Sequence, residues 1–223
     1  MAEGSTATRV RRTKAEQRAE SLEQILDAAE YLFSVNGLHG VTLRDVAKRV
    51  GVHTTLLHYY FQDKKSLFEA VFARRASVTS NRRIEALDRY IAETAGKPTL
   101  KGALTVFLDT DLDLYIERGE PWRNYAAFCA RVSNTPEGAE LMDVHFDPVV
   151  LKLIAILKEA RPDIPEEDIF WGYHFVTGAL MNTLARTGRI DRLSGGLCRS
   201  DDFPAVKKRL AKFMAAGFEA LKD

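Results

Sequence analysis

Residues 42–65, TLRDVAKRVGVHTTLLHYYFQDKK, collect hydroxyls, an imidazole, phenols and cations at helical spacing. If they fold as two short helices around Gly51, then Thr54, Thr55, His58 and Tyr59 cluster on one side of the second helix, opposite Leu57 and Phe61 at i, i+4. Small hydroxyls, an imidazole and phenols reach base edges and phosphates at little desolvation cost. Leu56, flanking that face, suits a thymine methyl. Arg44, at the start of the first helix, suits a base or phosphate contact, and Lys64, after the second, a phosphate contact. Residues 44–65 hold five basic and two acidic side chains, a local bias that matters more than the net +1 of the chain.

Other groupings invite catalysis or metal binding and lack the pattern it needs. Asp109, Asp111 and Asp113 resemble the start of a calcium loop, but no Gly follows where the sharp turn is required and the flanking pattern is helical. Asp143, His145, Asp147 and His174 are metal-ligand types that no HExxH or comparable spacing joins. There is no Gly-rich phosphate loop and no G-x-S-x-G elbow. The expectation is a protein that is not an enzyme, with no catalytic residues, no metal and no cofactor. Two cysteines, Cys129 in a helical pattern and Cys198 in a Gly/Ser-rich loop, have no CxxC spacing and fit a reducing, cytoplasmic setting.

The elements that must position residues 42–65 follow from periodicity. Leu43, Val46, Ala47 and Val50 recur at i, i+3, i+4 and i+7, with Thr42 as N-cap and Asp45 as its partner in a short capping box. Gly51 falls where the chain must turn through a left-handed conformation. This is the form of a helix-turn-helix that reads duplex DNA. Taken alone it also suits two small core helices of a protein that never meets DNA. Leu22, Ile25, Leu26, Ala29, Leu32 and Phe33 mark a preceding helix, stopped at Asn36-Gly37, that roofs the two short ones.

From about residue 21 to 72 the chain resembles the tetracycline-repressor (TetR) family of bacterial regulators. The resemblance rests on Asn36-Gly37, the run Val41 to Ala47, Gly51-Val52, Tyr59-Tyr60-Phe61 and Asp63-Lys64-Lys65-Ser66-Leu67-Phe68, in that order. It implies that Thr42, Arg44, Thr54, Thr55, Tyr59, Tyr60 and Lys64 face DNA, and the helical spacing adds His58. Thr55 stands where the family often has Gly, and His58 where it commonly has Tyr. The implied protein is a homodimer on a palindromic double-stranded operator, most simply a repressor released by a small, largely apolar effector. Open alternatives are a helical small-molecule-binding dimer with a purely structural helix-turn-helix and a metal-dependent hydrolase.

The rest of the chain reads as helix after helix with no alternating strand pattern, so the expected fold is all-α. A disordered basic arm (1–14) is expected to precede an N-terminal three-helix DNA-binding domain (15–65) and a C-terminal helical ligand-binding and dimerisation domain (66–223). The segment MAEGSTAT lacks the apolar core of a signal peptide, and the longest apolar run, 149–157, is too short to span a bilayer and holds Lys152, so no membrane association is expected. After Asp63 a long helix should run to about residue 94, and Pro148 should kink or split a pattern from 139 to 160. Pro165 should open a helix running to about 186, with a mobile loop over 187–203 and a last helix over 204–221.

Phe107, Trp122, Phe128, Trp171 and Phe175 are candidate pocket aromatics, with His174, Arg123 and Asn124 as a polar end. The resemblance implies that the last two long helices form a four-helix bundle across a two-fold axis. Gly178, Met181, Leu210, Phe213, Met214, Gly217 and Leu221 are its candidate interface, and packing within one chain is the alternative.

Overall fold

A computed structural model of the chain describes residues 13–221. The expected disordered beginning and most of the basic arm lie outside them. The described residues form helices joined by turns, with no strand among them: α1 (Lys14–Asn36), α2 (Leu43–Val50), α3 (Thr54–Tyr60), α4 (Lys64–Glu93), α5 (Leu100–Arg118), α6 (Glu120–Val132), α7 (Pro136–Ala160), α8 (Glu166–Leu184), α9 (Arg189–Leu193), α10 (Phe203–Lys207) and α11 (Leu210–Glu219). The all-α class is as expected.

Local chemistry sets the ends of the N-terminal helices. The Asp45 amide donates to Thr42 Oγ1 at 3.2 Å and the Thr42 amide to Asp45 Oδ2 at 2.9 Å, a reciprocal capping box that starts α2. Gly51 ends it at φ +80°, a left-handed conformation that costs a residue without Cβ little. Asp63 and Ser66 form a second box at the head of α4, with the Ser66 amide 2.7 Å from Asp63 Oδ1. The polar turn thus starts a new helix at once, and that helix is 30 residues long.

Ile25, Ala29 and Phe33 of α1, Val46 and Ala47 of α2, and Leu57 of α3 are buried in one hydrophobic core that continues through Leu67, Phe68, Val71 and Phe72 of α4. The first three helices are therefore not a separate body: α1 packs against α6 as well as α4. Phe33, Phe68 and Phe128 meet at this seam, edge to face at 5.1 Å (Phe33–Phe68) and 5.0 Å (Phe68–Phe128). Beside them lies a charged knot. Glu30, only 2% exposed, accepts from Arg74 Nη2 and from Arg75 Nε, each at 2.8 Å. The Arg75 guanidinium sits 4.7 Å from the centre of the Trp122 ring of α6. Burial pushes the Glu30 carboxyl above the usual carboxylate range, and the two guanidiniums pull it back.

Several expectations are corrected. Pro148 does not split α7, which runs unbroken from Pro136 to Ala160. Pro148 cannot donate to the Val144 carbonyl, but both residues are exposed, so water can serve the carbonyl the proline leaves. Pro121 sits in the first turn of α6, where a missing N–H costs nothing. The loop over 187–203 contains α9 and is tied by Asp191, which accepts from the Ser200 amide at 2.6 Å. The expected last helix is two pieces, α10 and α11, broken at Arg209.

Glu30→Ala would take the buried carboxylate from two half-buried guanidiniums, though Arg74 keeps Asp27 and Glu23 and Arg75 keeps Asp27. The expected cost is roughly 3 kcal/mol, the low end for breaking a buried ion pair, read as a lower urea midpoint. A midpoint within error of the parent would remove the knot from the list of stabilising contacts.

Candidate nucleic-acid interface and ligand cavity

On α3 the inward side is Leu57, buried beneath Phe61, and the outward side is Thr55, His58 and Tyr59 at i, i+3 and i+4. Tyr59 is 64% exposed, large for an aromatic residue with no partner across the core. Thr42, Arg44 and His58 are exposed, and Thr54 and Lys64 are half-buried at the heads of α3 and α4. Tyr60 differs from the rest: it is half-buried and its hydroxyl donates to the Arg18 carbonyl at 3.2 Å. It therefore pins α3 to α1. The Arg18 guanidinium lies 5.0 Å from the Tyr59 ring centre, which brings one cation of α1 to this face. Thr42 is doubly used, because its hydroxyl also donates to Asp45 Oδ2 at 2.6 Å.

A cavity of ≈ 310 Å³ opens among α4, α5, α6, α7 and α8. Its wall holds Phe107, Tyr115, Phe146 and Tyr173 with Met142, Met181 and Leu180, the aromatic, adaptable lining typical of small-molecule sites. Deep in that wall Arg83 Nη2 meets Asp111 Oδ2 at 2.9 Å, Arg83 Nε donates to the Phe107 carbonyl at 3.1 Å, and the Tyr115 hydroxyl donates to Asp111 Oδ2 at 3.1 Å. Asp111 is 3% exposed. Burial pushes its carboxyl above the usual range against the opposing pull of Arg83. Burial likewise pushes the Tyr115 hydroxyl and the Cys129 thiol up, so both face the cavity as neutral groups.

Of the sequence-expected pocket residues only Phe107 lines this cavity. Trp122 and Phe128 belong to the seam of α1, α4 and α6, with Phe128 also bordering a second, more open crevice of ≈ 550 Å³ beside Phe33 and Leu38. Trp171, His174 and Phe175 lie away from it, on the exposed side of α8, Trp171 at 51% and Phe175 at 55%. The expected polar end is elsewhere too, since Arg123 Nε donates to the Tyr115 carbonyl and Asn124 accepts from Arg186. Tyr115, Met142, Phe146 and Tyr173 were missed as lining. Helical spacing shows that a residue faces something, and only tertiary packing shows that the something is a void.

The metal-like groupings come apart. Asp109, Asp111 and Asp113 all sit inside α5, which rules out a calcium loop; Asp109 and Asp113 pair with Lys207 of α10 while Asp111 turns to Arg83. His145 packs near the Phe72 ring and His174 is exposed on α8. Among the described residues no group of three or more His, Cys, Asp or Glu is placed to hold a metal ion, and no helix is long and apolar enough to cross a membrane.

The candidate interface residues divide between surfaces. Gly178, Phe213 and Gly217 are exposed, Phe213 at 74%. Leu210, Met214 and Leu221 are half-buried, and half-buried Met181 lines the cavity. Within one chain the close helix approach is made not at Gly178 or Gly217, where an added Cβ meets nothing within 4 Å, but at Gly172, where it would collide with the Phe218 ring of α11.

Comparison with known proteins gives the arrangement its context. The transcriptional regulator BetI of Escherichia coli O45:K1 (strain S88 / ExPEC) is 24% identical over 166 residues, 74% of this chain and 83% of BetI. HlyIIR, described as a hemolysin II transcriptional regulator, superposes with a TM-score of 0.60 at 17% identity, covering 92% of this chain and 99% of that one. The regulator FadR of Bacillus subtilis, solved in complex with stearoyl-CoA, gives 0.57 at 17% identity, covering 87% and 98%. Residues 25–71 match the family described as bacterial regulatory proteins, tetR family, and residues 105–217, about half of the chain, match the tetracyclin repressor-like C-terminal domain. An outward-facing helix-turn-helix is thus joined by one long helix to a cavity-bearing helical domain of matching type, and the chain belongs to the TetR family of transcriptional regulators.

Proposed function

We propose that this regulator is a cytoplasmic homodimeric repressor, not an enzyme, that occupies a palindromic operator and leaves it when a small molecule enters the interhelical cavity. Residues 15–65 act as the DNA-binding domain and residues 66–223 as the ligand-binding and dimerisation domain. The observation that carries the reading is the outward face of α3. Thr55, His58 and Tyr59 make no contact the core requires, and Arg44 and Lys64 flank them without an ion-pair partner among the described residues. Such a face suits base edges in the major groove and the phosphates beside it.

Dimerisation is supported by two apolar stripes on the packed helices α8 and α11: Trp171, Phe175 and Gly178 on one, Phe213, Ala216 and Gly217 on the other, all exposed. Exposed apolar residues gathered on two packed helices suit an interface. A second copy related by a two-fold axis covers both stripes at once and sets two α3 helices about 34–36 Å apart, one turn of the duplex.

Ligand response is supported by α4. The same helix contributes Arg83 to the cavity wall and Arg74 and Arg75 to the grip on α1. A molecule that prefers the cavity shape of the non-binding conformer by a few kcal/mol shifts the population away from the operator-binding one.

Selection of random duplexes on the purified protein is expected to enrich a two-fold symmetric site, whose affinity falls steeply as salt rises. Tyr59→Ala and Lys64→Ala should each weaken binding to that site by about 1–3 kcal/mol with the dimer intact by sedimentation; loss of the dimer in either would contradict the division into domains. At Gly217 an added Cβ meets nothing within 4 Å, so Gly217→Leu should leave helicity nearly unchanged while converting dimer to monomer and so reducing operator affinity. A dimer that survives Gly217→Leu would remove α11 from the interface.

A further inference from the structure

We infer that the cavity selects an apolar cation, an organic ammonium with a hydrocarbon body, over neutral and anionic molecules of the same size. The inference rests on reading the cavity as the effector site and specifies the chemical class of ligand that enters it.

The argument is a charge inventory of the wall. Arg83 is its one cation, and its charge is matched: Nη2 lies 2.9 Å from Asp111 Oδ2, Nε donates to the Phe107 carbonyl, and the guanidinium is 4.1 Å from the Phe107 ring centre. No positive charge remains to receive a carboxylate or phosphate. Asp111 is in the same wall, and its Oδ1 and Arg83 Nη2 are both buried without a hydrogen-bond partner, so the pair is balanced in charge and adds no net positive charge to the cavity.

Nearer solvent, Asp143 and Asp147 also line the cavity, both exposed and neither with an ion-pair or hydrogen-bond partner among the described residues. They are four residues apart on α7, so they repel one another and weaken the helix that carries them. Other carboxylates beside packed helices are matched by a lysine. Asp109 and Asp113 share Lys207, and Glu166 takes Lys158.

The lining between these charges is what a soft cation binds. Phe107, Phe146, Tyr115 and Tyr173 present ring faces and edges, and a cation over such a ring is attracted to its quadrupole most strongly where water is excluded. The hydrocarbon body is left to Met142 and Met181, whose flexible thioethers fill irregular gaps. An anion of the same body meets two unpaired carboxylates on entry and, inside, a cation whose charge Asp111 already matches.

The test uses the full chain and three probes with one tail: octyltrimethylammonium, octanol and octanoate, each titrated calorimetrically. The ammonium is expected to bind about tenfold tighter than the alcohol, the scale of one desolvated cation–aromatic contact beside a carboxylate, and octanoate weakest. The double variant Asp143→Asn/Asp147→Asn alters exposed side chains only. It should lose most of the preference for the ammonium and keep octanol affinity within about twofold.

Octanoate binding as tightly as the ammonium, no binding by any of the three, or an unchanged preference in the double variant would overturn the inference. If the expected order is found and the selected operator is not released, the inference stands and the effector reading of the cavity falls. Release by octanol or octanoate while the ammonium neither binds nor acts keeps that reading and overturns the charge preference.

Discussion

The buried carboxylate of Glu30, shared between Arg74 and Arg75, is the constraint around which the two ends of this molecule are arranged. A carboxylate in that position is tolerable only while both guanidiniums remain within hydrogen-bonding distance. They come from consecutive residues of α4, so α1 and α4 are held at one register. Arg75 extends the grip to α6 through the Trp122 ring, and the Phe33–Phe68–Phe128 cluster fills the apolar side of the same seam. The helix-turn-helix is thus mounted on the second domain through contacts that are in place or broken, the discrete kind of coupling that carries a population shift.

Two turns further along α4, Arg83 enters the cavity wall. Its partner Asp111 is held by Tyr115 on α5, so a molecule filling the cavity presses on groups that cannot move without disturbing a second buried ion pair. In the proposed mechanism the distance between effector and operator is spanned by one helix with a charged anchor at each end. α8 divides its work by face. Tyr173, Thr177, Leu180, Met181 and Leu184 turn to the cavity, while Trp171, His174, Phe175 and Gly178 turn outward to the proposed partner. In the proposed mechanism ligand and partner therefore act on different faces of a single element.

The N-terminal third was largely legible from the chain because its signals are local. A capping box needs only residues three apart, a left-handed stop needs only a glycine, and an amphipathic face needs only its own period. That is why Thr42, Asp45, Gly51 and Asp63 stand in the roles their types suggest, and why Thr55, His58 and Tyr59 share an outward face. Tyr60 shows the limit, since its period places it beside Tyr59 but its hydroxyl is taken by the Arg18 carbonyl, a partner 42 residues away. Pro148 shows another, because its effect on α7 depended on whether the freed carbonyl could reach water.

The sequence by itself determined an all-helical chain, a helix-turn-helix near its start and the family to which that motif points, since each follows from short-range pattern. Only the tertiary structure decided which aromatic residues border a void, which bind the seam and which lie bare. Trp171 and Phe175 have the composition of a pocket and the position of an outer surface, while Tyr115, Phe146 and Tyr173 have the look of ordinary core and border the cavity. Periodicity tells each helix which side is apolar, but a cavity and an exposed stripe are both relations among several helices. They are set by how the long elements cross, and that is fixed by buried contacts such as Glu30 with Arg74 and Arg75 and Arg83 with Asp111, made between residues far apart in the chain.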